Sequence, residues 1–88
     1  MLTANDMDIL YFAWVREAIG RDGETVTPPA DVGTVAELLA WLSDRGEAYA
    51  VLRDVERLRF AIDQRFEPID ASIVGAAEVA IFPPVTGG

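Results

Sequence analysis

Cysteine, histidine and lysine are all absent from this chain of 88 residues. Without cysteine there is no disulfide and no thiolate nucleophile. Without histidine the chain lacks both a common zinc ligand and the usual general base at neutral pH. A pair of carboxylates can still serve as acid and base, but the acidic residues here are scattered, which is the pattern of a solvated surface. The missing lysine leaves arginine as the only basic side chain, a bias that genome composition explains by itself. It has one chemical consequence: no side-chain amine is available for self-conjugation. No apolar run approaches the roughly 20 residues that cross a bilayer, and residues 1–8 lack the basic flank and apolar centre of a secretory signal. These absences predict a cytoplasmic chain with no membrane contact, no metal site, no bound cofactor and no catalytic centre of its own.

Seven arginines against fifteen acidic residues give a formal charge of -8 and a pI near 4.2. Phosphate backbones and anionic membranes repel such a chain, so nucleic acid is excluded as a partner. Apolar residues make up 51% of the sequence, enough for one domain that buries roughly 60 to 65% of its unfolded surface.

Residues 1–6 show no periodic pattern and read as a leader, with Met7 as an alternative start. The run Ile9-Leu10-Tyr11-Phe12-Ala13 is apolar on both alternating sets, which predicts a strand covered on both faces. Trp14 to Ile19 suits a short helical turn closed by Gly20, and Glu24 to Thr27 a second strand stopped by Pro28-Pro29. Thr34-Val35-Ala36-Glu37 is a capping box, and Val35, Leu38, Leu39 and Leu42 then recur at i, i+3, i+4 and i+7, one helical face directed at a sheet. Gly46 supplies a left-handed stop. A further helical turn over Glu47 to Arg53 is expected to bury Ala48, Val51 and Leu52. Leu58, Phe60 and Ile62 alternate with Arg59, Ala61 and Asp63 in a third strand with one buried face. Phe66 to Ala77 reads as loop, and Glu78 to Phe82 as the last strand. Strand, strand, long helix, strand, strand in so short a chain predicts an α+β fold with one helix across a mixed sheet, most economically a β-grasp. The expected division is leader 1–6, domain 7–82 and tail 83–88.

The sequence closes Ile81-Phe82-Pro83-Pro84-Val85-Thr86-Gly87-Gly88. Prolines favour an extended path of roughly 3.1 Å per residue, so six residues reach nearly 20 Å from the sheet. Pro83-Pro84 taken alone reads most simply as a strand-ending loop. A terminal glycine pair arises by chance in about 0.5% of chains at average glycine usage, and this adjacency favours a functional tail. Glycines let an enzyme close around the main chain and reach the terminal carboxyl group. That carboxylate, on Gly88, becomes an acyl donor only after activation, for example as an acyl-adenylate. The chain has no glycine-rich phosphate loop, so the ATP site belongs to a partner.

Two segments, Leu10-Tyr11-Phe12-Ala13 with Val15-Arg16-Glu17, and Glu78-Val79-Ala80-Ile81-Phe82-Pro83-Pro84-Val85-Thr86-Gly87-Gly88, make the chain resemble the small subunits of molybdopterin synthases. These are β-grasp sulfur carriers related to ubiquitin and to the thiamin-pathway carrier, and the likeness spans most of residues 7–88. The resemblance implies that a ubiquitin-activating-like adenylyltransferase adenylates Gly88 and that a sulfur donor protein converts the acyl-adenylate to a thiocarboxylate. It implies further that Pro83, Pro84, Val85, Thr86 and Gly87 insert into the large synthase subunit, within a heterotetramer. There, catalytic residues of the large subunit direct sulfur to cyclic pyranopterin monophosphate. Phe12, Phe66 and Phe82 match the apolar sheet surface with which the family holds its partners. For Phe82, alternation agrees, since Val79 and Ile81 then point into the fold while Ala80 and Phe82 point away; Phe12 likewise opposes Ile9 and Tyr11. Their alternative reading is ordinary core. Gly75-Ala76-Ala77 departs from the family, which commonly has glycine and an acidic residue directly before the equivalent of Glu78. Three other functions compete: a sulfur carrier for thiamin or another pathway, which shares the terminal glycines but would not favour the apolar lead-in Phe82-Pro83-Pro84-Val85, a protein modifier joined to lysines through Gly88, and a binding module with an inert tail.

Overall fold

Buried and exposed residues alternate along β1 (Met7–Tyr11), with Met7, Ile9 and Tyr11 inward and Asp8 fully outward. The computed structural model describes residues 6–84. The expectation of a strand covered on both faces is therefore corrected: only one side of the sheet carries a second layer. The strand also stops earlier than its apolar run, at Tyr11. Ala13, with φ of 54°, turns the chain into α1 (Ala13–Ile19), whose first free carbonyl-accepting position is the Phe12 oxygen, reached by the amides of Val15 and Arg16. This is a full helix rather than a short turn; Val15 and Ile19 face the core at i, i+4. Gly20 ends it at φ 90°, donating its N–H to the Arg16 carbonyl at 2.8 Å, the left-handed closure that glycine adopts without a Cβ clash.

Strand β2 (Gly23–Val26) pairs antiparallel with β1. Helix α2 (Val35–Ser43) begins at the capping box: the Glu37 amide donates to Thr34 Oγ1 at 3.2 Å, and the Thr34 amide donates to Glu37 Oε1 at 3.1 Å. Val35, Leu38, Leu39 and Leu42 are all buried, the face that the heptad-like spacing predicts. The helix ends at Asp44 in right-handed geometry. Gly46 lies beyond it with φ 153° and ψ 171°, a region outside the left-handed helical stop expected there. The next segment, Glu47–Arg53, is a 3-10 helix. Its three-residue repeat places Tyr49 and Leu52 on one side, so Leu52 is buried while Ala48 is exposed, correcting the expected burial of Ala48. A second 3-10 turn, Val55–Arg57, leads into β3 (Arg59–Ile62). Both Phe60 and Ala61 are buried in that strand, because Ala61 is small and lies between Ala80 and Phe66 on the neighbouring strands.

The segment read as loop contains β4 (Arg65–Glu67), hairpin-paired with β3 through Asp63 and Gln64, whose φ values are 48° and 70°. Two positive φ angles at a two-residue turn ordinarily call for Asn-Gly, and the glycine-free Asp-Gln pair hides the hairpin. Asp63 is held by what it bonds: its Oδ1 accepts the amides of Ala77 and Glu78 at 3.0 Å each, and its own N–H donates to the Glu78 carbonyl. Those contacts pin the start of β5 (Glu78–Phe82). Strand β5 lies at the centre of the sheet, parallel to β1 and antiparallel to β3, in the order β2-β1-β5-β3-β4. The result is the α+β mixed sheet with one main helix across it.

The helix-facing side closes on Ile9, Tyr11, Val15, Leu38, Leu42, Leu52, Val79 and Ile81, each no more than 1% exposed. At its edge one carboxylate organises a polar network. Glu24 Oε2 accepts the hydroxyls of Tyr11 and Tyr49, both at 2.8 Å, while Oε1 meets Arg21 at 3.1 Å and Arg45 at 3.3 Å. Arg45 also stacks over the rings of Trp41 and Tyr49. Burial by itself raises the Glu24 carboxyl, but the two tyrosine hydroxyls and the arginines outweigh it and hold the group below its ordinary value. Burial, and then the bond to Glu24, push the Tyr11 hydroxyl far up, so it remains a donor throughout the neutral range. No helix among the described residues is long and apolar enough to cross a membrane.

Two outcomes follow from this packing. Leu38→Ala opens a cavity between α2 and the sheet and lowers stability by about 2–5 kcal/mol, read from urea denaturation. For Glu24, a lowered folded-state pKa means stabilisation that is present above the ordinary carboxyl value of 4.5 and lost as pH falls through the folded value. The stability difference between wild type and Glu24→Gln is thus largest near neutrality and shrinks in acid; a difference independent of pH contradicts the network as described.

Candidate functional site

Among the described residues the sheet face away from α2 has no second layer, and register places its side chains in rows. Asp8 lies beside Glu78; Leu10, Ala80, Ala61 and Phe66 follow in one row; Phe82 lies beside Arg59. Val79 and Ile81 are fully buried on the helix side, while Phe82, of opposite parity, is half-buried on the bare side. Its ring packs tilted against Phe66, with centroids 5.8 Å apart and planes at 52°. Phe66 is 82% exposed and Phe12 44%, values that exclude both rings from the core. Phe12 keeps extended geometry after β1 and donates its N–H to the Ile81 carbonyl at 3.2 Å, which sets it alongside the end of β5. The three phenylalanines thus occupy the same bare face, two of them in contact.

Pro83 and Pro84 continue from β5, both half-buried. Because β5 is paired on both sides, the chain leaves the sheet from its middle, beside the aromatic rings. A groove of about 530 Å³ opens at this point, lined by Arg59, Phe60, Phe66, Glu67, Pro68, Phe82 and Pro84. Val85, Thr86, Gly87 and Gly88, assigned to the tail from sequence, lie outside the described residues, as does the leader up to residue 5. Asp6, also counted in the leader, accepts the Thr27 hydroxyl at 2.6 Å.

Of the groove's walls the sequence singles out Phe66, Phe82 and Pro84, but not Arg59, Phe60, Glu67 or Pro68. Arg59 and Phe60 were read only as alternating strand residues, and Pro68 as loop. The signal for Pro68 was recoverable: a proline just after β4 ends that strand on an outer edge. What the face can do chemically is limited. Among the described residues no group of three or more carboxylates is placed to hold a metal. The groups with shifted proton affinity, Glu24, Tyr11 and Tyr49, form the network at the helix side. An apolar face with exposed aromatic rings is the kind of surface that suits docking.

Known proteins agree with this geometry. The model of the ThiS family matches residues 9–88. The molybdopterin synthase sulfur carrier subunit of Haemophilus influenzae is 33% identical over 82 residues, covering 93% of this chain and 99% of that protein. The subunit of the same name from Escherichia coli is 36% identical over 80 residues, covering 91% and 96%. Among solved structures, the small archaeal modifier protein 1 of Haloferax volcanii superposes with a TM-score of 0.70 at 21% identity, covering 91% of this chain and 98% of the other, which shows the shared ubiquitin-like β-grasp fold. The chain belongs to the ThiS family, and its curated relatives are sulfur carrier subunits of molybdopterin synthases.

Proposed function

We propose that this chain carries sulfur for a molybdopterin synthase, as a non-catalytic subunit with Gly88 as the sulfur-bearing residue. A ubiquitin-activating-like adenylyltransferase joins the Gly88 carboxylate to AMP, with pyrophosphate leaving from ATP. Sulfide-level sulfur delivered by a donor protein attacks the acyl carbon, the bond to AMP breaks, AMP leaves, and the tail ends in a thiocarboxylate. The tail from Pro83 to Gly87 then enters the large subunit, whose residues pass the sulfur to cyclic pyranopterin monophosphate. The acyl-AMP and the thiocarboxylate are transient covalent states of the tail, and no resident cofactor is required. Phe12, Phe66 and Phe82 hold the large subunit, and the cycle runs in the cytoplasm within a heterotetramer.

The observation that carries this reading is the exit of the chain from the central strand at Phe82, through Pro83-Pro84, beside a bare aromatic face. One surface can grip a partner while the tail, rooted in the central strand, is directed into that partner. The relatives' names support molybdopterin over thiamin or protein modification as the destination of the sulfur. The absence of any lysine, cysteine or histidine fits a chain that carries an activated acyl group without side chains that would intercept it.

Phe82→Ala, or Phe12→Ala, is expected to weaken binding to the large subunit by about thirtyfold, the effect of losing a central aromatic anchor, while the isolated chain keeps most of its stability. Severe unfolding with unchanged binding by the folded fraction returns these rings to the core. Deleting Gly88 leaves a carboxylate on Gly87 that falls about 3.3 Å short, and misplacement by about 1 Å can cost a hundredfold in rate. Molybdopterin production is expected to be abolished, with circular dichroism and complex formation unchanged. Near-normal production by the shortened chain contradicts the assignment of Gly88.

A further inference from the structure

The bare face is polarised along its strands. At the end where β1 and β5 begin, Asp8 and Glu78 are direct neighbours on adjacent strands. Neighbouring strands lie about 4.8 Å apart, and like charges set directly opposite destabilise a sheet. Neither carboxylate has an arginine within ion-pair distance: the described ion pairs join Arg21 and Arg45 to Glu24, Arg53 to Asp44 and Arg57 to Asp54. Thr25 donates to Asp8 at 2.7 Å, which satisfies one oxygen and leaves the charge. At the other end Arg59 lies beside Phe82 in register and lines the aromatic groove. Among the described residues its guanidinium donates to backbone alone, to the Leu58 carbonyl at 2.8 Å and the Glu56 carbonyl at 3.3 Å. Glu67 also lines this groove, yet no described ion pair joins it to Arg59, and in a chain with more than twice as many acids as arginines an arginine left without an ion pair is out of keeping with the rest. The two charged ends are four residues apart, about 13 Å along the strands, with Leu10, Ala80 and Ala61 between them.

We infer that this polarity sets the direction in which the large subunit docks: the partner places a carboxylate against Arg59 beside Phe82 and a lysine or arginine against the Asp8–Glu78 pair, with apolar side chains between. The inference rests on the carrier reading above. Reversed docking brings like charges together and is rejected, so the tail enters the partner's pocket from one side only. The like-charged pair is retained at the expense of the free chain and relieved in the complex.

That account has a signature no purely structural role produces. Asp8→Asn raises the urea midpoint of the isolated chain and at the same time weakens its complex with the large subunit of the same organism. The affinity loss is about fivefold at low salt, as for an exposed ion pair, and fades at high salt. Arg59→Gln weakens the complex to a similar extent with the same salt dependence and without a gain in stability. Arg53→Gln, whose Asp44 pair is on the helical side, leaves binding unchanged. Titration calorimetry of all four proteins at two salt concentrations, with urea denaturation of each free chain, reads these outcomes. If wild type binds and both Asp8→Asn and Arg59→Gln bind equally well, the directional charges are wrong and the carrier reading stands. If wild type does not bind the large subunit, the carrier reading falls and this inference with it.

Discussion

Everything that this protein presents to a partner depends on the double pairing of β5. A strand at the end of a chain is usually free to fray, but Glu78–Phe82 is hydrogen-bonded to β1 on one side and β3 on the other. The Asp63 carboxylate adds two bonds to the amides where the strand begins. The last residues before the tail are consequently among the most constrained of the fold, with Val79 and Ile81 locked into the core. The described start of the tail, Pro83 and Pro84, rooted in this way, has a defined origin and heading. An edge strand in the same place would give up both.

The same pairing fixes what surrounds the root. Parallel alignment with β1 brings Phe12 to the level of Phe82, and antiparallel alignment with β3 brings Arg59 there and Phe66 one row below. Residues distant in sequence thereby form one surface, with the single layer of helices on the opposite side. The sheet needs only one covered face to be stable, since α2 and the 3-10 segments seal that side. Among the described residues the other carries no second layer, and in the function proposed above a partner covers it. The Glu24 network serves the sealed side alone, tying Tyr49 of the 3-10 segment to β1 and β2.

Local chemistry made much of this legible in the sequence. The Thr34–Glu37 capping box and the spacing of Val35, Leu38, Leu39 and Leu42 specify α2 without outside information, and strand parity put Phe82 on the face opposite Ile81. What could not be read depends on non-local contacts or on unusual backbone. β4 was hidden because its turn uses Asp63 and Gln64 at positive φ, and the aspartate tolerates that geometry through bonds to residues far along the chain. The run Ile9 to Ala13 reads as covered on both faces because, in one sequence, an aromatic ring left exposed, as Phe12 is, cannot be told from one buried in a core. Ala48 was expected inside because 3-10 and α periodicities diverge only after a turn. Arg59 was legible as a strand residue, but its place beside Phe82 comes from the β3–β5 register.

We propose that this fold offers one carboxyl group, that of Gly88, to other proteins. Intact mass spectrometry addresses it most directly, after incubating the purified chain with a matching adenylyltransferase, ATP and a sulfur donor protein. The account predicts a mass gain equal to one oxygen exchanged for sulfur, dependent on ATP and on the donor, and localised by fragmentation to Gly88. An unchanged mass under conditions in which the same enzymes convert an Escherichia coli sulfur carrier subunit, or a sulfur addition at any other residue, would contradict it.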